Sequence, residues 1–121
     1  MVPEKIYMVD DWAFAECYSL ASLTLPETLK RIGHNALFNC KNLSGVTLPK
    51  GLESIGSQAF YGCESLSELA LPEGLASISS DAFEECGYLV LIVVRGSYAE
   101  SWAEENDAEY DYDTPPYRLS Y

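Results

Sequence analysis

Basic residues are scarce in this chain. Seven lysines and arginines stand against 19 aspartates and glutamates among 121 residues, a formal net charge of -12. Phosphate backbones and anionic headgroups are repelled by such a surface, so no nucleic acid is expected as a partner. Apolar runs are short as well. None approaches the roughly 20 residues that cross a bilayer, so no membrane insertion is expected, and the opening MVPEKIYMVDD lacks the apolar core of a secretory leader. There is a single histidine, His34. A nucleophilic cysteine or serine needs a base beside it, and His34 has no marked partner, which reads as an exposed surface residue and gives no catalytic residues. Glycine is too sparse for a phosphate loop, and neither GxGxxG nor GxxxxGK occurs. The four cysteines form no CxxC pair, the local arrangement zinc favours, so neither a metal site nor any other cofactor is expected. An apolar content of 48% still suffices for one compact domain, and this length does not suffice for two.

What the chain does have is a period. Cys17, Cys40, Cys63 and Cys86 are each separated by 23 residues, and whole columns share that interval. Pro3, Pro26, Pro49 and Pro72 form one; Ala13, Ala36, Ala59 and Ala82 another; Val9, Ile32, Ile55 and Ile78 a third. Leu20, Leu43, Leu66 and Leu89 follow, then Leu23, Val46, Leu69 and Ile92, and Leu25, Leu48, Leu71 and Val94. One unit reads AFxxCxxLxxLxLPxxLxxIGxx. In LxxLxL, alternate apolar residues of one short strand per unit turn inward, and the proline that follows stops the ladder. The LxxI stretch suits a second short extended segment, and AFxxC suits a single helical turn. Asp11, His34, Ser57 and Ser80 stand where that turn would begin, three of them good N-caps. One unit cannot bury its own apolar face, so the coils must stack into a solenoid.

The stretch NALFNCKNLSGVTLPKGLESIGSQAFYGCESLSELALPEGL resembles the BspA-like, or Treponema-type, leucine-rich repeats of bacterial surface proteins, and the likeness covers residues 2–96. VVRGSYAESWAEENDAEYDY is similar to the C-terminal portion of such arrays, with a GSxAexxA segment followed by a tyrosine-containing strand. Departures are small: Leu37 stands in the column of Phe14, Phe60 and Phe83, and Asp10 and Ser79 stand where Gly33 and Gly56 stand. The fold class expected is therefore a leucine-rich-repeat solenoid, a parallel strand stack with short helical turns and a C-terminal capping helix. Repeats are expected over 2–96, in about four coils with the first one truncated, a cap helix and edge strand over 97–113, and a tail over 114–121. The resemblance implies a non-enzymatic adhesion or protein-interaction module of a bacterial surface or secreted protein, in contact with a host or matrix protein. The alternative is a structural spacer and C-terminal cap with no ligand of its own. An extracellular or cell-surface location is likewise implied by the resemblance alone, and the chain reads as a fragment.

At the start of the sequence the register enters at the end of a strand. Ile6, Val9 and Phe14 would therefore stand at an uncovered end, open to preceding repeats or to end-to-end self-association. At the other end Ser97 and Glu100 form a capping-box pattern for a helix reaching about Asp107, with Ala99, Trp102 and Ala103 on one face. Tyrosine and acid alternate through Tyr110 and Tyr112, which suits an edge strand before Pro115 and Pro116.

The stacked cysteines read as a column of buried free thiols. Glu84, Glu85, Glu100, Glu104 and Glu105 read as a solvated face, and the carboxylates from Asp107 to Asp113 lack a closing calcium loop. What remains is the outward side of the strand stack. A protein-binding face is expected there from Ser44, Thr47, Ser67, Glu68, Val90, Leu91 and Val93, small and nearly uncharged in the early coils. The last strand departs from the pattern, because Leu89 to Val94 is apolar throughout and implies burial on both sides. Tyr110, Tyr112, Tyr117 or Tyr121 folding back is the expected cover, a partner or second copy the alternative. Trp12, in a column with Asn35, Gln58 and Asp81, is expected exposed, as a contact to a preceding repeat.

Overall fold

The structure, a computed structural model, describes residues 6–113. In chain order its elements are β1 (Met8–Val9), β2 (Ser22–Thr24), β3 (Arg31–Ile32), β4 (Gly45–Thr47), β5 (Ser54–Ile55), β6 (Glu68–Ala70), β7 (Ser77–Ile78), β8 (Val90–Val93), α1 (Tyr98–Glu105) and β9 (Tyr110–Tyr112). Odd-numbered strands β1-β3-β5-β7 form one parallel sheet, in which Val9 pairs with Ile32, Ile32 with Ile55 and Ile55 with Ile78. On the other side β2 pairs with β4, and β6 with β8 and then β9, again all parallel. Each coil thus contributes one strand to each side, and the apolar columns meet between them. Leu29, Leu52, Leu43, Leu66, Ala36, Ala59 and Phe60 are fully or almost fully buried there.

The AFxxC stretches differ from expectation. They form no helical turn; they are chains of tight turns with left-handed backbone at Trp12, Asn35 and Gln58 and again at Glu16, Asn39, Gly62 and Glu85. The hydrogen bonding explains why. Ala13, Ala15 and Cys17 donate back three residues within their own coil, whereas Trp12, Phe14 and Glu16 donate to His34, Ala36 and Phe38 of the next coil, at 3.0, 2.7 and 2.7 Å. An α-helix would commit every N–H to its own axis. Here alternate N–H groups stitch neighbouring coils, so the turns act as a third ladder.

The expected N-cap side chains serve that ladder too. Asp11 Oδ1 accepts the His34 N–H at 2.8 Å, and His34 Nδ1 accepts the Ser57 N–H at 2.9 Å. These side chains bend over the following coil, and Gly33 and Gly56 leave room for them: a Cβ on Gly33 would meet Asp11 Oδ1 at 2.5 Å, and one on Gly56 would meet His34 Nδ1 at 3.0 Å. Ser57 instead turns its hydroxyl to Asp81, at 2.9 Å, and the next position tolerates Ser79.

The last coil is one residue short. Two residues separate Leu66 from inward Leu69, but only Val90 separates Leu89 from Leu91, and Leu69 pairs with Leu91. Leu91 and Val93 are therefore the core residues of β8, not Ile92 and Val94, and the placement of Leu91 and Val93 on an outward face is corrected. Parity along a strand is set by alternation, and an unbroken apolar run carries none.

Helix α1 closes this end. Ser97 accepts the Glu100 N–H on its hydroxyl at 3.2 Å, while the Glu100 carboxylate reaches one residue further back than a capping box, to the Gly96 N–H at 2.8 Å. Ala99, Trp102 and Ala103 are buried as expected. Trp102 meets Phe83 edge-on at 5.6 Å, and Phe83 stacks on Phe60 at 5.4 Å, so the indole prolongs the phenylalanine column. The Tyr98 hydroxyl accepts the Ile78 N–H at 3.1 Å, on the edge of β7.

Candidate interaction face

Outward residues of β2, β4 and β6 follow from strand parity. Ser22 pairs with Gly45 and Thr24 with Thr47, and Glu68 and Ala70 continue these two rows in sequence phase. Ser44 and Ser67, just ahead of the strands, are exposed beside them. Ser44 and Ser67, with Ser22, Thr24, Thr47, Glu68 and their neighbours, bound a shallow groove of about 380 Å³. Ser44, Thr47, Ser67 and Glu68 are thus brought together. Of the other three expected residues, Val90 is half-buried in the same outward row and Leu91 and Val93 lie in the core. The outward partner of Val90 in β8 is Ile92, which the column alignment had turned inward.

Tyr110 and Tyr112 do not fold over that face. β9 extends the sheet beside β8, with Tyr110 opposite Leu91 and Tyr112 opposite Val93, so both rings lie on the inward side. Their hydroxyls donate to α1, Tyr110 to Glu104 at 2.9 Å and Tyr112 to Glu100, and Arg95 Cζ lies 3.8 Å from the centre of the Tyr112 ring. The Tyr112 hydroxyl, then the Gly96 N–H, lower the Glu100 pKa, and the same carboxylates raise those of Tyr112 and Tyr110. Tyr117 and Tyr121 lie outside the described residues.

The thiols are structural. All four cysteines are free; Cys40, Cys63 and Cys86 are buried and Cys17 half-buried. Each buried thiol donates to the carbonyl three residues before the cysteine of the coil beneath: Cys40 to Phe14 at 2.9 Å, Cys63 to Leu37 at 3.2 Å, Cys86 to Phe60 at 2.9 Å. Burial pushes the pKa of Cys63 up to about 12 and that of Cys86 to about 11, opposite to the shift that activates a nucleophile. His34 is exposed, and its Nδ1 is occupied by the Ser57 N–H. Asp81 has its pKa lowered by the Ser79 hydroxyl first and by Ser57 and the Gln58 N–H besides, which makes it a turn anchor. Among the described residues no group of three or more His, Cys, Asp or Glu could hold a metal ion, and no helix is long and apolar enough to cross a membrane.

A second surface was only partly visible in the sequence. Trp12 is 56% exposed and leans on the following coil, its ring 5.4 Å from that of Phe38, which stacks on Tyr61 at 5.0 Å. Phe38 and Tyr61 occupy a column that holds Ala15 and Glu84 elsewhere, so no repeated residue type marked it.

Stacked coils of strand, turn and strand with leucine columns between them define a leucine-rich-repeat solenoid. Six copies of the BspA type leucine rich repeat region match residues 1–101, and the chain belongs to that family. It is similar to a leucine rich cell surface protein from Faecalibacterium prausnitzii (24% identity over 97% of this chain, TM-score 0.77), the T. pallidum leucine rich repeat protein (28% over 75%, TM-score 0.57) and a leucine-rich repeat protein from Bacteroides ovatus (26% over 74%, TM-score 0.51). The chain spans 32%, 56% and 29% of those three proteins. No curated protein matches it.

Proposed function

We propose that this chain is a non-enzymatic protein-binding module of a bacterial surface or secreted leucine-rich-repeat protein, and that its partner is a host or matrix protein. The observation that carries the reading is the flat row of small side chains, Ser44, Thr47 and Ser67 with Glu68 at its edge, on coils held in register by the β3–β5 pairing and the ladder of the turns. A rigid, nearly uncharged surface accepts a broad partner at little conformational cost. Family membership supports the surface location. Against catalysis stand the sealed thiols and the committed His34 Nδ1. Binding of immobilised extracellular-matrix proteins tests the proposal. The double variant S44R/T47R, which points bulk and charge outward without touching the core, is expected to weaken binding at least about tenfold. Unchanged binding would remove this face, and a chain that holds no matrix protein at all would favour the spacer.

A further inference from the structure

Three rings cross the turn face of the first three coils, and their surroundings are acidic. Trp12 sits between exposed Asp10, Asp11 and Glu16, and exposed Glu84 follows Tyr61 in its column one coil on. Within the four turn segments, 10–18, 33–41, 56–64 and 79–87, Lys41 is the one lysine or arginine. An aromatic face attracts cations through its quadrupole, most strongly for tryptophan, and neighbouring carboxylates add to the field. The cap shows the same chemistry satisfied from within: Arg95 lies over the Tyr112 ring, and Glu100 accepts from the hydroxyl of that ring. Among the described residues no guanidinium or ammonium covers Trp12.

We propose that the Trp12–Phe38–Tyr61 strip is a docking site for an arginine-rich segment of a protein partner. Guanidinium groups stack on the free side of Trp12 and against the rim of Tyr61, while Asp10, Glu16 and Glu84 balance their charge. Arginine is favoured over lysine because its flat, weakly hydrated head stacks on rings and an ammonium does not. The inference rests on the protein-binding reading above and adds a second face with a partner of defined chemistry.

The test is calorimetric titration of the whole chain with a peptide of alternating arginine and glycine, beside lysine–glycine and glutamate–glycine peptides of equal length. Binding is expected for the arginine peptide, severalfold weaker for the lysine peptide and absent for the acidic one, with Trp12 protected from acrylamide quenching. Trp102 is buried and contributes a constant background. W12N/Y61A installs the residues that the same columns carry at Asn35 and Ala15, so the coil is kept; it is expected to bind about tenfold more weakly or worse, with an unchanged melting temperature. Y61A alone, with a smaller loss, serves if the double variant melts early. E27Q/E73Q removes two exposed carboxylates from the loops after β2 and β6 and is expected to bind within about twofold of the parent. Equal losses in W12N/Y61A and E27Q/E73Q, unaltered binding in W12N/Y61A, or no binding of the arginine peptide would each overturn the proposal. A matrix protein still lost in S44R/T47R under any of those outcomes would leave the strand-face reading standing.

Discussion

The first and last coils are built from the same columns and end differently. At the start, Ile6, Phe14, Cys17 and Leu20 are only half-buried, although their counterparts Leu29, Leu37, Cys40 and Leu43 one coil on are completely or almost completely enclosed. Among the described residues this end holds an apolar recess of about 370 Å³, lined among others by Ile6, Val9, Phe14, Leu23 and Leu25. At the far end α1 and β9 supply that layer, and Leu91, Val93 and Cys86 are shielded. Burial in a solenoid therefore belongs to the interface between coils and not to the coil. The side chain alone does not decide whether a position counts as core.

The comparison can be broken in several ways. The largest effect is expected from ending the chain at Gly96, which strips Phe83, Leu91 and Val93 of their cover: the product should associate in sedimentation velocity and melt at a lower temperature. A truncated monomer with the parental melting point would show the cap to be dispensable. Next, Trp102→Ala should cost about 3–5 kcal/mol in urea denaturation, as for other enclosed aromatics, whereas half-buried Phe14→Ala in the first coil should cost about 1–2 kcal/mol. Equal costs would abolish the distinction between the ends. Cys63 probes the middle of the stack. Its thiol stays protonated in the folded chain up to about pH 12, while the unfolded thiol ionises near 9.0, so this contribution is complete below about pH 9 and is lost as the pH rises towards 12. By pH 10 the loss should reach about 1.4 kcal/mol. Cys63→Ala should accordingly show a flatter fall in urea midpoint between pH 8 and pH 10, roughly the span in which the unfolded thiol titrates; a slope equal to the parent's would contradict the sealed column. The smallest effects belong to the helix cap and the strand face: Ser97→Ala about 1 kcal/mol, Thr47→Ala within about 0.5 kcal/mol.

Much of the architecture was legible because the period is unbroken as far as Leu89. Columns that hold Cys40, Leu43 and Ile55 at one interval specify both stacking and enclosure, and the capping helix followed from Ser97, Glu100 and the spacing of Ala99, Trp102 and Ala103. Two things were hidden. The parity of β8 was lost in Leu89 to Val94, where every residue is apolar, so the slip that turned Leu91 and Val93 inward left no mark. The turns looked helical because AFxxC has helical spacing, and a sequence does not show where alternate N–H groups will go when a second coil lies beside the first. On the candidate face, the outward positions of Thr47 and Glu68 followed from alternation, and those of Ser44 and Ser67 from standing between leucine columns. Phe38 and Tyr61 were not, since Trp12 meets Phe38 across two columns and the column of Phe38 and Tyr61 holds Ala15 and Glu84 elsewhere.

The stitching of the turns has a direction. Every such N–H, from Trp12 and Phe14 through Phe60 and Gly62, points to the coil that follows, and every matching carbonyl, at His34, Ala36, Ala82 or Glu84, looks to the coil before. The leading rim of the turn wall therefore shows oxygens alone, those of Asp11, Ala13 and Ala15 in phase with His34, Ala36 and Phe38. Two copies meeting rim to rim would set oxygen against oxygen, which works against a symmetric pair at this end. A surface complementary to that rim brings amide hydrogens at the spacing of alternate residues, so the ladder of the turns, like a stair, runs in one sense only.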